Sequence, residues 1–162
     1  MNKEVIVDYL YLDLHTCDRC IGTDKVLEEV IAELTPALAL ADLSVKYRKT
    51  EITTAHMAEQ HRFLSSPTIR VNGNDICSTV SESSCTCCGE ISGTDVDCRV
   101  FEYEGQSYDV PPKAMLAEAI LRGVFSPAQE ICGCYTLPEN LKTFFHGKEN
   151  KRKTCCCKSG CC

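Results

Sequence analysis

The chain has 162 residues, of which 44% are hydrophobic, and its formal net charge is −6. This length supports one domain with a substantial core rather than two domains. The negative charge gives no overall field that attracts nucleic acid, although residues 148–158 are locally basic, so we exclude nucleic acid as a partner. Charged residues interrupt the N-terminal apolar run before it is long enough for a signal peptide or membrane span, which predicts a cytoplasmic protein with no membrane partner.

Cysteine accounts for 14 of the residues, far above its ordinary use in proteins. Secreted disulfide scaffolds reach such a level, but the sequence shows no export signal. In a reducing cytosol, dense cysteine is better explained by redox chemistry or metal ligation than by permanent disulfides. The composition therefore predicts a function based on thiols.

The first part of the chain predicts the element order β-α-β-α. Residues Val5 to Leu14 form a nearly continuous apolar run, typical of a central strand that is buried on both faces. From Thr23 to Leu38, apolar residues recur at the spacing of an amphipathic helix. The alternation from Leu43 to Arg48 predicts a second strand, and Ala55 to Leu64 predicts a short second helix.

Two hairpins are predicted in the second part of the chain. Asn72-Gly73 lies between two β-rich runs, and this dipeptide is the strongest short signal of a type I′ turn. A cysteine-rich insertion over residues 81–98 follows it. Residues Arg99 to Tyr108 then predict a second hairpin that turns at Glu104-Gly105.

The compact domain is predicted to cover residues 1–125. It ends with a helix that opens at Pro111-Pro112. Residues 126–162 form a cysteine-rich C-terminal extension with one short helix at 138–145. From about residue 147 this extension is polar and basic without hydrophobic periodicity, which predicts a largely flexible tail.

Several short motifs accompany this layout: Cys17-Asp18-Arg19-Cys20, Ser66-Pro67-Thr68-Ile69, Asn72-Gly73, Cys85 with Cys88-Gly89, Cys98-Arg99-Val100 and Pro111-Pro112-Lys113-Ala114. With the predicted elements, they resemble a thioredoxin-like family catalogued as domain of unknown function 2703. The resemblance extends from Val5 to Phe125. It implies an α/β fold with a central mixed sheet flanked by helices, and it assigns no reaction.

The Cys17/Cys20 pair lies between the first predicted strand and helix, a position that favours a redox pair over half of a zinc site. Because a helix N-terminus stabilises a thiolate, Cys17 is the predicted attacking thiol. Cys20, one helical turn later, is the predicted resolving thiol. The resemblance implies that Pro67 is cis and faces the pair, and that the backbone of Ser66 pairs with a substrate strand.

The insertion supplies a second set of cysteines. Cys85, Cys88 and Cys98 have a spacing like that of a zinc knuckle, with Gly89 after the second cysteine. Zinc requires a fourth ligand, for which the candidates are Cys77, Cys87, Cys132 and Cys134. The alternatives are a disulfide among these residues that exchanges oxidising equivalents with Cys17 and Cys20, or free thiols.

A third set lies in the tail, where the cysteines are Cys155, Cys156, Cys157, Cys161 and Cys162. Thiolates select soft ions such as Cu(I) and Zn(II) and, by the same argument, mercury or trivalent arsenic. Exposed thiols oxidise and cross-link, so such a run is hazardous unless it has a role. We therefore expect a soft-metal or thiol-relay role, the alternative being a dispensable tail.

Two functions follow from these observations. The first is a thiol-disulfide oxidoreductase that needs no cofactor, acts on a protein or small-molecule thiol or disulfide, and depends on a separate reductant. The second is a protein that binds or delivers a soft metal ion or metalloid, such as zinc, on the same scaffold. The two are compatible, because both use thiolates.

Overall fold

The computed structural model describes residues 3–77, 79–127 and 133–158, with side chains described as far as Lys153. In chain order the described elements are β1 (Lys3–Tyr11), α1 (Asp18–Ala39), β2 (Leu43–Glu51), α2 (Ala55–Gln60), β3 (Thr68–Val71), β4 (Asn74–Asp75), β5 (Ser81–Ser84), α3 (Thr86–Ser92), β6 (Asp97–Tyr103), β7 (Gln106–Tyr108), α4 (Lys113–Phe125) and α5 (Glu139–Lys158). Among the described residues, no helix combines the length and apolar character needed to cross a bilayer.

The described strands form a four-stranded mixed sheet and a three-stranded antiparallel sheet. The order in the mixed sheet is β2-β1-β3-β4, with β1 parallel to β2 and antiparallel to β3. The predicted mixed sheet with a central first strand is therefore confirmed. The second sheet has the order β5-β6-β7, and the predicted insertion supplies β5, α3 and the start of β6.

Helices α1 and α4 pack against one face of the mixed sheet. On that face Val5, Val7 and Tyr9 of β1 are fully buried and share a core with Leu27 of α1 and Leu116 of α4. On the opposite face of β1, Ile6 and Asp8 are only half-buried. The prediction that β1 is buried on both faces is therefore wrong for this part of the strand, because α1 and α4 lie together on one side.

Both predicted hairpins are confirmed. Asn72 and Gly73 have φ of 50° and 85°, and Glu104 and Gly105 have φ of 50° and 77°. A type I′ turn requires positive φ at both central residues. One such turn connects β3 to β4, and the other connects β6 to β7. The Asn72 side chain also accepts a 2.9 Å hydrogen bond from Ile6 N–H, which ties the first turn to β1.

The core extends beyond the predicted domain boundary at Phe125. Leu141, Phe144 and Phe145 of α5 are buried in the core that contains Cys17. The predicted short helix at 138–145 also continues to Lys158. Gly147 makes this packing possible, because a Cβ there would clash with the carbonyl oxygen of Ser92 at the end of α3.

Candidate functional site

The loop after β1 places Cys17 at the start of α1. One carboxylate oxygen of Asp13 accepts hydrogen bonds from the backbone N–H groups of His15 (2.8 Å), Thr16 (2.6 Å) and Cys17 (3.3 Å). Cys17 is the N-cap residue of α1, and Cys20 lies in its first turn. The prediction that this pair lies at a strand-to-helix turn is confirmed.

The insertion repeats this arrangement of two cysteines. Cys85 is the N-cap residue of α3, Cys88 lies in the first turn, and Gly93 ends the helix in the left-handed conformation. The Cys85 N–H donates to the carbonyl oxygen of Val96 at 2.8 Å, which holds the start of α3 close to β6. Each Cys-x-x-Cys pair therefore has one cysteine before a helix and one within its first turn.

Within the described part of the chain, five cysteines from the two pairs and β6 meet in the protein interior. The Sγ atoms of Cys17, Cys85 and Cys88 all lie within 4.8 Å of one another. The Cys88 Sγ is 3.8 Å from the Cys17 Sγ and 3.4 Å from the Cys98 Sγ, and Cys20 is buried in the same core one helical turn after Cys17. We call these residues the thiol cluster: Cys17, Cys20, Cys85, Cys88 and Cys98.

The fourth sulfur beside Cys85, Cys88 and Cys98 is therefore that of Cys17, which the sequence had assigned to a separate redox pair. Of the predicted candidates for this place, Cys87 is half-buried and its Sγ is 3.9 Å from a carboxylate oxygen of Asp18. The others that the structure describes are Cys77, which is half-buried against the core shared by α1, α4 and the mixed sheet, and the exposed Cys134. Outside the residues or side chains described lie Cys132, Cys155, Cys156, Cys157, Cys161 and Cys162.

Hydrogen bonding within the thiol cluster favours a thiolate at Cys17. Hydrogen bonds from Cys20 and then from Cys85, Cys88 and Cys98 lower the pKa of Cys17 far below that of an ordinary cysteine. The same bonds, together with burial, raise the pKa of Cys20, Cys88 and Cys98, which act as donors. A contact with Cys17 acts to raise the pKa of Cys85, but bonds from Cys88 and Cys98 outweigh it and lower that pKa to about 7.

Arg19 joins the two halves of the site. Its Nη1 donates to the carbonyl oxygens of Ser83 (3.3 Å) and Cys98 (3.2 Å), and its Nη2 donates to that of Ser84 (2.8 Å). One guanidinium thus holds β5 and β6 against the start of α1. Sequence reasoning missed this role, because nothing local indicates that a charged residue between two cysteines binds carbonyl groups of distant strands.

Ser66 and Pro67 lie beside the thiol cluster, and the peptide bond between them is cis, as the resemblance implies. The Ser66 hydroxyl accepts a 3.1 Å hydrogen bond from Leu12 N–H and is 3.3 Å from the Cys20 Sγ. The Ser66 carbonyl oxygen accepts a 2.7 Å hydrogen bond from Arg99 N–H of β6. A strand of the same chain therefore occupies the place predicted for a substrate strand.

The sequence matches the model of one protein family, described as Domain of unknown function (DUF2703), over residues 5–120. The chain belongs to this family. The part that matches DUF2703 contains all five residues of the thiol cluster, whereas α5 and the tail cysteines lie beyond it. No curated protein and no solved structure matches the chain.

Proposed function

We propose that this DUF2703 protein binds a soft metal ion of the zinc class through the sulfurs of Cys17, Cys85, Cys88 and Cys98. The distances between sulfurs carry this proposal. Zn–S bonds of about 2.3 Å in a tetrahedron place the sulfurs about 3.8 Å apart. The Cys88 Sγ is 3.8 Å from one neighbour and 3.4 Å from another, close to that spacing. A disulfide would need about 2.0 Å, so the observed distances match shared coordination better than S–S bonds.

The surroundings of the four sulfurs also support a closed metal site. Each of the four cysteines is at most 4% exposed. A site with four protein ligands and no open position is typical of structural zinc, whereas catalytic zinc keeps one position for water or substrate. Thiolate ligands favour soft ions over Mg²⁺ or Ca²⁺. Such a site requires reduced thiols, which fits the predicted cytoplasmic location.

Cobalt binding tests this proposal directly. The full chain would carry serine at the five tail cysteines, so that the absorption signal comes only from thiols outside the tail. The metal-free, reduced protein would be titrated with Co(II) and then with Zn(II), while the thiolate-to-cobalt absorption is followed. We expect one ion per chain with tetrahedral thiolate spectra, and much weaker binding after Cys88→Ser, because a closed site loses its geometry with any ligand.

Cys77→Ser is the matched control, since Cys77 is half-buried against the core shared by α1, α4 and the mixed sheet and lies outside the thiol cluster. It should bind Co(II) as the parent protein does. Equal cobalt absorption in the parent and in Cys88→Ser would overturn the proposal.

A second candidate function is thiol-disulfide exchange by Cys17 and Cys20. It is favoured by the position of the two buried cysteines one turn apart at the start of α1 and by the lowered pKa of Cys17. The parallel β1-α1-β2 unit followed by the antiparallel β3 and β4 agrees with the thioredoxin-like layout that the resemblance implies. Both cysteines are 0% exposed, however, so this function suits a small substrate or the neighbouring thiols of the chain.

A further inference from the structure

The thiol cluster contains one sulfur more than a tetrahedral metal site uses. Cys20 is the extra one, because Cys17, Cys85 and Cys88 lie within 4.8 Å of one another and Cys98 lies 3.4 Å from Cys88, so these four supply the ligands of the proposed site. It is 0% exposed and lies one turn along α1 from Cys17. Its Sγ is held 3.3 Å from the Ser66 hydroxyl, and its carbonyl oxygen accepts a 2.6 Å hydrogen bond from Tyr9.

We propose that a small hydroperoxide oxidises Cys17 and Cys20 to a disulfide and thereby releases the metal ion. This inference rests on the proposed metal site. Cys20 is the resolving thiol of this reaction and Cys17 is the ligand that is lost. The protein would hold its ion when reduced and give it up when peroxide rises.

The reaction balances as a two-electron oxidation. The Cys17 thiolate attacks one oxygen of hydrogen peroxide, which breaks the O–O bond, forms a sulfenic acid and releases hydroxide that takes up a proton as water. The Cys20 thiol then attacks the Cys17 sulfur and forms the S–S bond. Its proton and the displaced hydroxyl leave as a second water, and the two cysteines have lost two electrons to one peroxide.

Because the thiol cluster is buried, only a small oxidant can reach its sulfurs. Cys17 and Cys20 are both 0% exposed. The backbone carbonyl of Ser66 beside them already accepts a hydrogen bond from Arg99 of β6. A protein disulfide would have to displace β6 before it reached either sulfur. Hydrogen peroxide is close to water in size and needs only a small opening, so we choose a hydroperoxide rather than a protein disulfide as the oxidant.

The geometry also favours Cys20 as the residue that forms the disulfide with Cys17. A Cys-x-x-Cys pair at a helix N-terminus brings its two sulfurs close enough to form a disulfide without moving a strand. Cys85, Cys88 and Cys98 would each be engaged by the ion. Cys87 lies outside the cluster, and its thiol faces the carboxylate of Asp18. After the reaction only three sulfurs remain to hold the ion.

Zinc release from the full chain with serine at the tail cysteines tests this inference. Parent, Cys20→Ser and Cys77→Ser proteins would be loaded to one Zn(II) per chain and treated with hydrogen peroxide, while a chromophoric chelator reports free zinc. We expect the parent and Cys77→Ser to release zinc at equal rates and Cys20→Ser to release it about tenfold more slowly, since its sulfenic acid has no resolving thiol. Peptide mass analysis should find a Cys17–Cys20 disulfide in the parent, and dithiothreitol with fresh zinc should restore loading.

The outcomes separate this inference from the proposed function. A parent protein that loads no zinc overturns the metal site itself. Normal loading with equal release from the parent and Cys20→Ser overturns only the role of Cys20. If Cys20→Ser and Cys20→Ala both fail to load zinc while remaining folded by circular dichroism, Cys20 is a ligand and the inference is also wrong. A disulfide between Cys85 and Cys88 in place of Cys17–Cys20 overturns it as well.

Discussion

The backbone N–H of Arg99 donates a 2.7 Å hydrogen bond to the carbonyl oxygen of Ser66, next to the cis Pro67. This bond links β6 to the segment just before β3 of the mixed sheet and holds Cys98, the residue before Arg99, in the thiol cluster. The Arg99 side chain strengthens the link, because its Nη1 lies 3.0 Å from a carboxylate oxygen of Asp75. The second sheet is thus attached to the first at the residues that bring the sulfurs together.

Replacing Arg99 should test how much this attachment contributes. Arg99 is 1% exposed, and its loss would leave Asp75 without its buried partner. We expect Arg99→Met to lower the free energy of unfolding by about 1–3 kcal/mol in urea denaturation, because Asp75 remains partly exposed to solvent. The control is Arg48→Met, because Arg48 pairs with Asp8 at the surface and such a pair contributes at most about 1 kcal/mol. Equal losses in the two variants would contradict this account.

Arg19→Lys should weaken metal binding without removing a ligand. A lysine cannot bind the carbonyl oxygens of Ser83, Ser84 and Cys98 together, so β6 would be held less firmly against α1. Loss of one hydrogen bond from a charged group, about 1.5 kcal/mol, corresponds to roughly a tenfold fall in Co(II) affinity, measured by competition with a chelator. Asp109→Asn is the control, since Asp109 is 62% exposed and contacts the same guanidinium from solvent. An affinity unchanged in Arg19→Lys would show that Arg19 does not position the site.

Cys17 and Cys20 should behave differently in thiol exchange. The metal-free protein should reduce a small aromatic disulfide, Cys17→Ser should lose that activity, and Cys20→Ser should accumulate a mixed disulfide on Cys17. The reason is that only the first change removes the attacking sulfur. Absorbance of the released thiol and intact mass would report the two results. Equal turnover by the parent and Cys17→Ser would exclude the oxidoreductase candidate and leave the metal proposal intact.

Asp13 should make stability depend on acid pH. Partial burial acts to raise the pKa of Asp13, but hydrogen bonds from Thr16, His15 and Cys17 outweigh it and lower that pKa. A carboxyl with a depressed folded pKa stabilises the protein above its unfolded pKa and loses that contribution as the pH falls through the folded pKa. We therefore expect the parent to be more stable than Asp13→Asn near neutral pH, with a gap that narrows below about pH 4. Unfolding of the metal-free, reduced proteins at a series of pH values would measure this difference in stability. A difference that stays constant into strong acid would contradict the lowered pKa of Asp13.

The buried residues of helix α5 should contribute much more to the stability of the protein than its C-terminal end does. Phe144 is fully buried in the core of the thiol cluster, so Phe144→Ala should cost about 3–5 kcal/mol of stability. Deleting residues 148–162 keeps this core and removes an exposed contact between Lys151 and the Glu90 carbonyl. We expect the deletion to leave the thermal midpoint of the metal-free, reduced protein nearly unchanged and to remove only metal bound beyond the first ion. A large drop in midpoint would mean that the tail packs on the domain.

The sequence by itself determined the local features of this protein. The Asn72-Gly73 turn follows from the φ values that only a few residue types adopt, and the placement of Cys17 follows from an apolar strand that meets an amphipathic helix. The Cys-x-x-Cys spacings indicated two pairs that are suited to thiol chemistry. Each of these signals lies within a few neighbouring residues, so it can be recognised without knowing how the chain folds.

Only the tertiary structure decided which of these features meet. Nothing near Cys17 in the sequence indicates that its sulfur lies beside those of Cys85 and Cys88, or that β6 binds Ser66. The burial of Phe144 in the same core was equally hidden, because a polar and basic stretch follows it in the chain. Such contacts depend on the packing of α1, α3, β6 and α5 together. The periodicity of each segment shows which face is apolar, but the partner for that face is selected by the fit of the whole chain.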